Sequence, residues 1–141
     1  MERKQNMKDI VIKKFKPLYT EIITTMDVYE EDVVIDGRIV APKGAMKMYQ
    51  KVIAAGETAR CVHEGDFVLL DLRNYVKQKF REDSLKEGME KLEDVKVFDF
   101  PKIFLNGVWY AKLQERDVEG IIEDHEFIEV ETASNEDNNL L

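Results

Sequence analysis

Apolar residues in this chain fall into short runs punctuated by turn formers. Gly56 closes the run Val52-Ile53-Ala54-Ala55, and Gly65-Asp66 opens the run Phe67-Val68-Leu69-Leu70. Runs of about four apolar residues between such breakers predict buried strands, since a helix usually needs about ten or more. Gly65 suits the tight reversal into the second run because it takes positive φ at no steric cost. Both runs are apolar on both phases of the pleat. That pattern predicts strands covered on two faces, as where a small barrel or sandwich closes over its own core.

The remaining pattern predicts further strands and one helix. Glu21-Ile22-Ile23-Thr24-Thr25 reads as a strand. It follows Lys16-Pro17-Leu18, where Pro17, lacking a ladder donor, belongs at a strand start or edge. Asp36-Gly37 lies between Val33-Val34-Ile35 and Ile39-Val40, and Asn106-Gly107 between Ile103-Phe104-Leu105 and Val108-Trp109-Tyr110-Ala111. Both dipeptides suit two-residue hairpin turns. The arms of the first hairpin are short, and an isolated hairpin is marginal in water. The segment Met26–Lys47 is therefore expected either to fold onto the body or to stay mobile until a partner supplies the missing burial. Ser84-Leu85-Lys86-Glu87 fits a capping box and predicts a short helix over about Leu85–Glu93. Val95 and Val97 predict a strand before Pro101. Val118–Glu123 reads as the closing strand, with Asp124–Val130 as its extension. Residues 131–141 are polar and acidic, which predicts a disordered tail. Residues 1–15 form a basic arm with a short strand over Ile10–Phe15, either solvated or packed on a neighbouring subunit.

Composition narrows the function. The chain has 141 residues, of which 44% are hydrophobic, so one domain with a real core is expected. The net charge of −8 argues against general nucleic-acid binding, which needs a basic face to displace counterions. The single cysteine, Cys61, permits no internal disulfide framework. No apolar run approaches a membrane span, and the N-terminus lacks a signal-peptide core, so a cytoplasmic location is expected. Two histidines, His63 and His125, and one cysteine leave little for acid–base or nucleophilic catalysis. Cys61 and His63 are two apart with no second pair at zinc spacing. There is no phosphate-cradling glycine loop and no run of carboxylates at metal-ligand spacing. The chain reads as a non-enzymatic protein without cofactor, working by contact through exposed apolar residues on a tethered loop.

Four blocks stand in a telling order: Lys16-Pro17-Leu18-Tyr19-Thr20-Glu21-Ile22-Ile23, Gln50-Lys51-Val52-Ile53-Ala54-Ala55-Gly56, Glu64-Gly65-Asp66-Phe67-Val68-Leu69 and Glu115-Arg116-Asp117-Val118-Glu119-Gly120-Ile121-Ile122-Glu123. With them the chain resembles the GroES-type co-chaperonins, most closely the phage-encoded branch. The resemblance implies a mainly β fold: a small GroES-like β-barrel over residues 16–130 with a mobile hairpin loop, here joined by the helical insertion at about Asn74–Val97. It implies assembly into a seven-membered ring that caps a GroEL-type chaperonin, in the host cytoplasm for a phage-encoded protein. ATP would be bound by the chaperonin, not by this chain. The family's apolar tripeptide falls on Ile39, Val40 and Ala41, with Ala41 standing where the family prefers a larger aliphatic. Val33, Val34 and Ile35 on the other arm would supply the rest of the contact. The short connection Gly56–Glu64 resembles phage-type proteins and implies an open-topped cap. Two other readings stand beside this one. In the first, the chain is a structural or adaptor β-barrel of a phage particle, its hairpin packed rigidly on a neighbour. In the second, it is an enzyme using Cys61 or the carboxylates.

Overall fold

The structure, a computed structural model, describes residues 6–80 and 94–132. Its strands are β1 (Glu21–Thr24), β2 (Val33–Ile35), β3 (Arg38–Ala41), β4 (Tyr49–Ala55), β5 (Phe67–Leu70), β6 (Val76–Phe80), β7 (Asp94–Phe98), β8 (Lys102–Leu105), β9 (Val108–Gln114) and β10 (Val118–Ile121). The fold is mainly β, as the runs of apolar residues predict. Both dipeptide turns form where expected. Asp36 and Gly37 have φ of 52° and 77°, and Asn106 and Gly107 of 47° and 87°, the positive values that a type I′ hairpin requires at both positions.

Six strands form one sheet in the order β10-β5-β4-β1-β9-β8. β1 is central, antiparallel to β4 on one side and to β9 on the other. Alternation along β1 sends Ile22 to one face and Ile23 to the other. Both are fully buried. On the Ile22 side the main core gathers Val52, Val68, Leu70, Ala111 and Leu113, closed by Leu72 and Phe100 from the connections. On the Ile23 side a smaller cluster holds Ile103 and Leu105. Each such aliphatic side chain stabilises the fold by about 1.5–3 kcal/mol when fully buried.

The second cluster is completed by the N-terminal arm. Ile12 and Phe15 pack against it, the Asn106 N–H donates to the Ile12 carbonyl at 2.9 Å, and the Lys112 ammonium lies 5.4 Å from the centre of the Phe15 ring. The arm is therefore not wholly solvated: Ile12 and Phe15 cover the chain's own sheet, while Met7, Ile10 and Val11 stay exposed. Lys8, Lys13 and Lys14 stay outside, and Lys16 beside them pairs with Glu57 at 2.9 Å.

The closed barrel is not formed among the described residues. β8 and β10 lie at opposite ends of the strand order. Closure requires the last strand to reach the first with a matched stagger. Both edge strands have four residues. Pro101 precedes β8, and a register shift between Val118 and Gly120 interrupts β10. Short, kinked edges of this kind terminate pairing instead of extending it. The expected helix over Leu85–Glu93 lies outside the described residues. On either side of it, β6 and β7 pair as an antiparallel ribbon from Val76↔Phe98 to Phe80↔Asp94. Among the described residues no helix is long and apolar enough to cross a membrane.

Two features give direct tests. Gly56 is buried and packs so closely on the backbone at Leu18 and Tyr19 that an added Cβ would collide with the Tyr19 carbonyl. Backbone cannot yield as a flexible side chain does. Gly56→Ala is expected to lower stability by about 2–3 kcal/mol, read as a lower urea midpoint with unchanged slope. Near the base of the ribbon, the Tyr75 hydroxyl donates to Asp117 at 2.6 Å, and the same Asp117 oxygen accepts the Gln114 N–H at 2.9 Å. Burial first, and then this hydrogen bond, push the Tyr75 phenol up from 10.0 to about 12. In the unfolded chain the phenol loses its proton first, so the folded state binds more protons over this window and stability falls as pH rises through it. Alkaline denaturation curves should show this fall, and Tyr75→Phe should remove part of it.

Candidate functional site

The segment between β1 and β4 is built upward from one buried glutamine. Gln50 lies on β4 two residues before Val52, so both point into the main core, and both are fully buried. A buried primary amide must use its hydrogen-bonding groups or lose their hydration uncompensated. Gln50 uses them. Its Oε1 accepts the Thr25 hydroxyl at 2.7 Å and the Asp27 N–H at 2.9 Å. Its Nε2 donates to the Asp27 carbonyl at 2.9 Å and the Lys47 carbonyl at 2.7 Å. One side chain thus grips both ends of the loop. The Thr25 hydroxyl in turn accepts the Lys51 N–H at 3.0 Å.

Above this clasp the two strands of the loop stay paired. The Lys47 N–H donates to the Asp27 carbonyl, the Tyr29 N–H to the Ala45 carbonyl and the Gly44 N–H to the Tyr29 carbonyl, at 2.8–2.9 Å. Val28 bridges Met46. The Lys47 ammonium lies 5.4 Å and 5.6 Å from the centres of the Tyr29 and Tyr49 rings, contacts worth about 0.5–1 kcal/mol each at exposed sites. Burial, followed by the neighbouring Tyr49, raises the Tyr29 phenol above its ordinary value. Higher up, the Lys43 N–H donates to the Asp32 carboxylate at 2.6 Å. The loop is a bonded stalk, not a free coil.

The stalk carries β2 and β3, and the six residues expected to make contact divide into two groups. Val33 and Val34 are buried, at 8% and 4% exposure. Ile35, Ile39 and Val40 are exposed at 56%, 59% and 55%. Ala41 is half-buried. The pairing Val34↔Ile39 and Ile35↔Arg38 puts Ile39 and Ile35 on opposite faces. A register shift between Val33 and Val34 leaves Val40 as the extra residue of β3. The tip therefore offers aliphatic surface in two directions, while Val33 and Val34 anchor its base.

The candidate reactive residues do not assemble into a centre. Cys61 is exposed, and its N–H donates to the Glu115 carboxylate at 3.0 Å. The His63 N–H donates to Asp66 at 2.8 Å. Among the described residues no group of three or more His, Cys, Asp or Glu side chains could hold a metal ion. The residue that sequence reasoning missed is Gln50. Its signal was a polar side chain in phase with buried Val52.

No protein-family model and no curated protein matches the chain.

The division into tip and anchor is testable by limited proteolysis of the full chain. Val34→Asp places a carboxylate at a buried position without a partner and is expected to speed cleavage within residues 28–46 by about tenfold or more. Ile39→Asp, at an exposed position, should leave the cleavage rate unchanged.

Proposed function

We propose that the chain is a co-chaperonin that assembles into a ring and caps a GroEL-type chaperonin through the hairpin tip. The observation that carries this reading is the trio Ile35, Ile39 and Val40, exposed at the end of a loop whose base is fixed. Apolar side chains held away from the body on a stalk suit insertion into a groove of a partner.

Magnitudes say why copies are needed. Each of the three residues is already partly covered, so burying the remainder gains about 1–1.5 kcal/mol apiece. One tip then yields about 3–4.5 kcal/mol, a dissociation constant near the millimolar range. A single contact of that strength does not hold a cap. Several linked copies do, because each binding event after the first is intramolecular.

The distribution of charge supports head-to-tail assembly. The arm exposes Met7, Ile10 and Val11 beside Lys8, Lys13 and Lys14, while the other end of the chain exposes Phe127, Ile128 and Val130 beside Glu126, Glu129 and Glu131. Two apolar strips of opposite charge suit a heterologous interface, which generates rings when its rotation closes.

The bonded stalk favours a second reading, a structural or adaptor β protein of a phage particle with its hairpin seated on a neighbour. A capture experiment separates the two. Tagged protein incubated with a GroEL-type chaperonin and ADP or ATP should retain it, and Ile39→Asp should abolish retention. Failure of the unaltered chain to bind would favour the adaptor. Binding that survives Ile39→Asp would overturn the assignment of the tip.

A further inference from the structure

The hairpin β2–β3 has arms of three and four residues, too short to be stable alone. The residues after β10 supply what it lacks. The Ile122 N–H donates to the Phe67 carbonyl at 2.7 Å. His125 then lies against the Phe67 ring, with centroids 4.8 Å apart, and Phe127 packs on His125 at 5.2 Å. Further on, the Glu131 carbonyl accepts the Val34 N–H at 3.0 Å, and Thr132 bridges Val33. The segment thus leaves the scaffold at β5 and ends in a bridge on the free edge of β2. Between these two attachments it roofs a cavity of about 510 Å³ whose floor includes Tyr29, Tyr49 and Phe67. The Tyr49 and Phe67 rings meet edge to face at 5.6 Å, so ring contacts run from the start of β4 to the C-terminal segment.

We propose that residues 122–132 are a strap acting in cis: they hold β2 in place, and their release frees the hairpin while the six-stranded sheet stays folded. Both attachments are made by a segment exposed along residues 123–131. At the first, beyond the Ile122 hydrogen bond, the exposed rings of His125 and Phe127 stack outward from the Phe67 side chain. At the second, the Val34–Glu131 hydrogen bond and the Val33–Thr132 bridge hold the end of a largely exposed segment. Contacts of this kind open at a small fraction of the global unfolding free energy. The buried state of Val33 and Val34 thus depends on a distant part of the chain, and the freedom of the tip follows whatever engages that part.

Amide hydrogen exchange on the full chain tests this without any chaperonin, so its outcome is separate from that of the capture experiment. The probes are the Val34 amide, which the strap holds, and the Ile23 amide, which lies in the central strand. In the unaltered protein Val34 should exchange more slowly than an exposed amide and faster than Ile23. The double variant His125→Ala with Phe127→Ala removes the ring contacts at exposed positions. It is expected to speed Val34 exchange by about tenfold or more with Ile23 unchanged. Unchanged exchange at Val34 would overturn the proposal. Equal acceleration at Val34 and Ile23 would overturn it too, because the segment would then be part of the global fold and not a separable restraint. As a second perturbation, Thr132→Pro acts at the far attachment and should raise Val34 exchange in the same selective way.

Discussion

The side-chain amide of Gln50 has no access to water, and its carbonyl and amino groups are directed at the two ends of one loop. Its orientation is determined by its partners: the oxygen faces a hydroxyl and an N–H, and the nitrogen faces two carbonyls. Each such bond contributes about 1 kcal/mol net, whereas a buried group left unpaired costs about 1–3 kcal/mol. The asymmetry matters more than the sum. With Gln50 in place, Asp27 and Lys47 cannot part without leaving an amide unsatisfied in the core. The paired stalk above them, the position of the tip and the reach of the strap all inherit that fixed point.

The arrangement separates two requirements that a binding loop usually sets against each other. A loop that is free along its whole length loses much conformational entropy when a partner orders it, and that loss comes off the affinity. A loop packed along its whole length hides the surface it needs to present. Here the stalk is ordered in advance by the clasp and its ladder, and only the last residues remain to be fixed. Two apolar side chains, Val33 and Val34, hold the base of the tip, and three others, Ile35, Ile39 and Val40, stay outside. The strap adds a restraint that can be withdrawn, because it rests on exposed rings and on one edge of β2.

Features whose causes are local were legible in the amino-acid sequence. Asp36-Gly37 and Asn106-Gly107 announced their turns, because positive φ at two successive residues narrows the choice of residue sharply. The apolar runs around Val52 and Val68 announced buried strands. Pro17 sits buried just ahead of β1, as a residue without a donor should. Features whose causes are distant were not legible. Gln50 looked like one polar residue among strand formers, since its partners lie 23 and 3 residues away and only the fold brings them to one amide. The acidic stretch after Ile122 resembled a strand extension and then a tail, because an edge contact with β2 leaves no periodic trace in the strap itself. Strands apolar on both faces fit a barrel or a sandwich alike, and here the N-terminal arm covers part of the second face. Residues expected in a single contact group divided into anchor and tip, since alternation in so short a hairpin does not reveal which face meets the body.

The central claim is that Gln50 fixes the stalk, and backbone nitrogen relaxation in the unaltered chain and in Gln50→Leu tests it most directly. In the unaltered chain, order should be high at Asp27, Tyr29, Ala45 and Lys47 and fall only around Gly37 to Val40. In Gln50→Leu, disorder should spread down to Asp27 and Lys47 while Ile22 and Ile23 remain rigid. An identical profile in the two proteins, or a loop already mobile from Asp27 to Lys47 with Gln50 intact, would contradict the account.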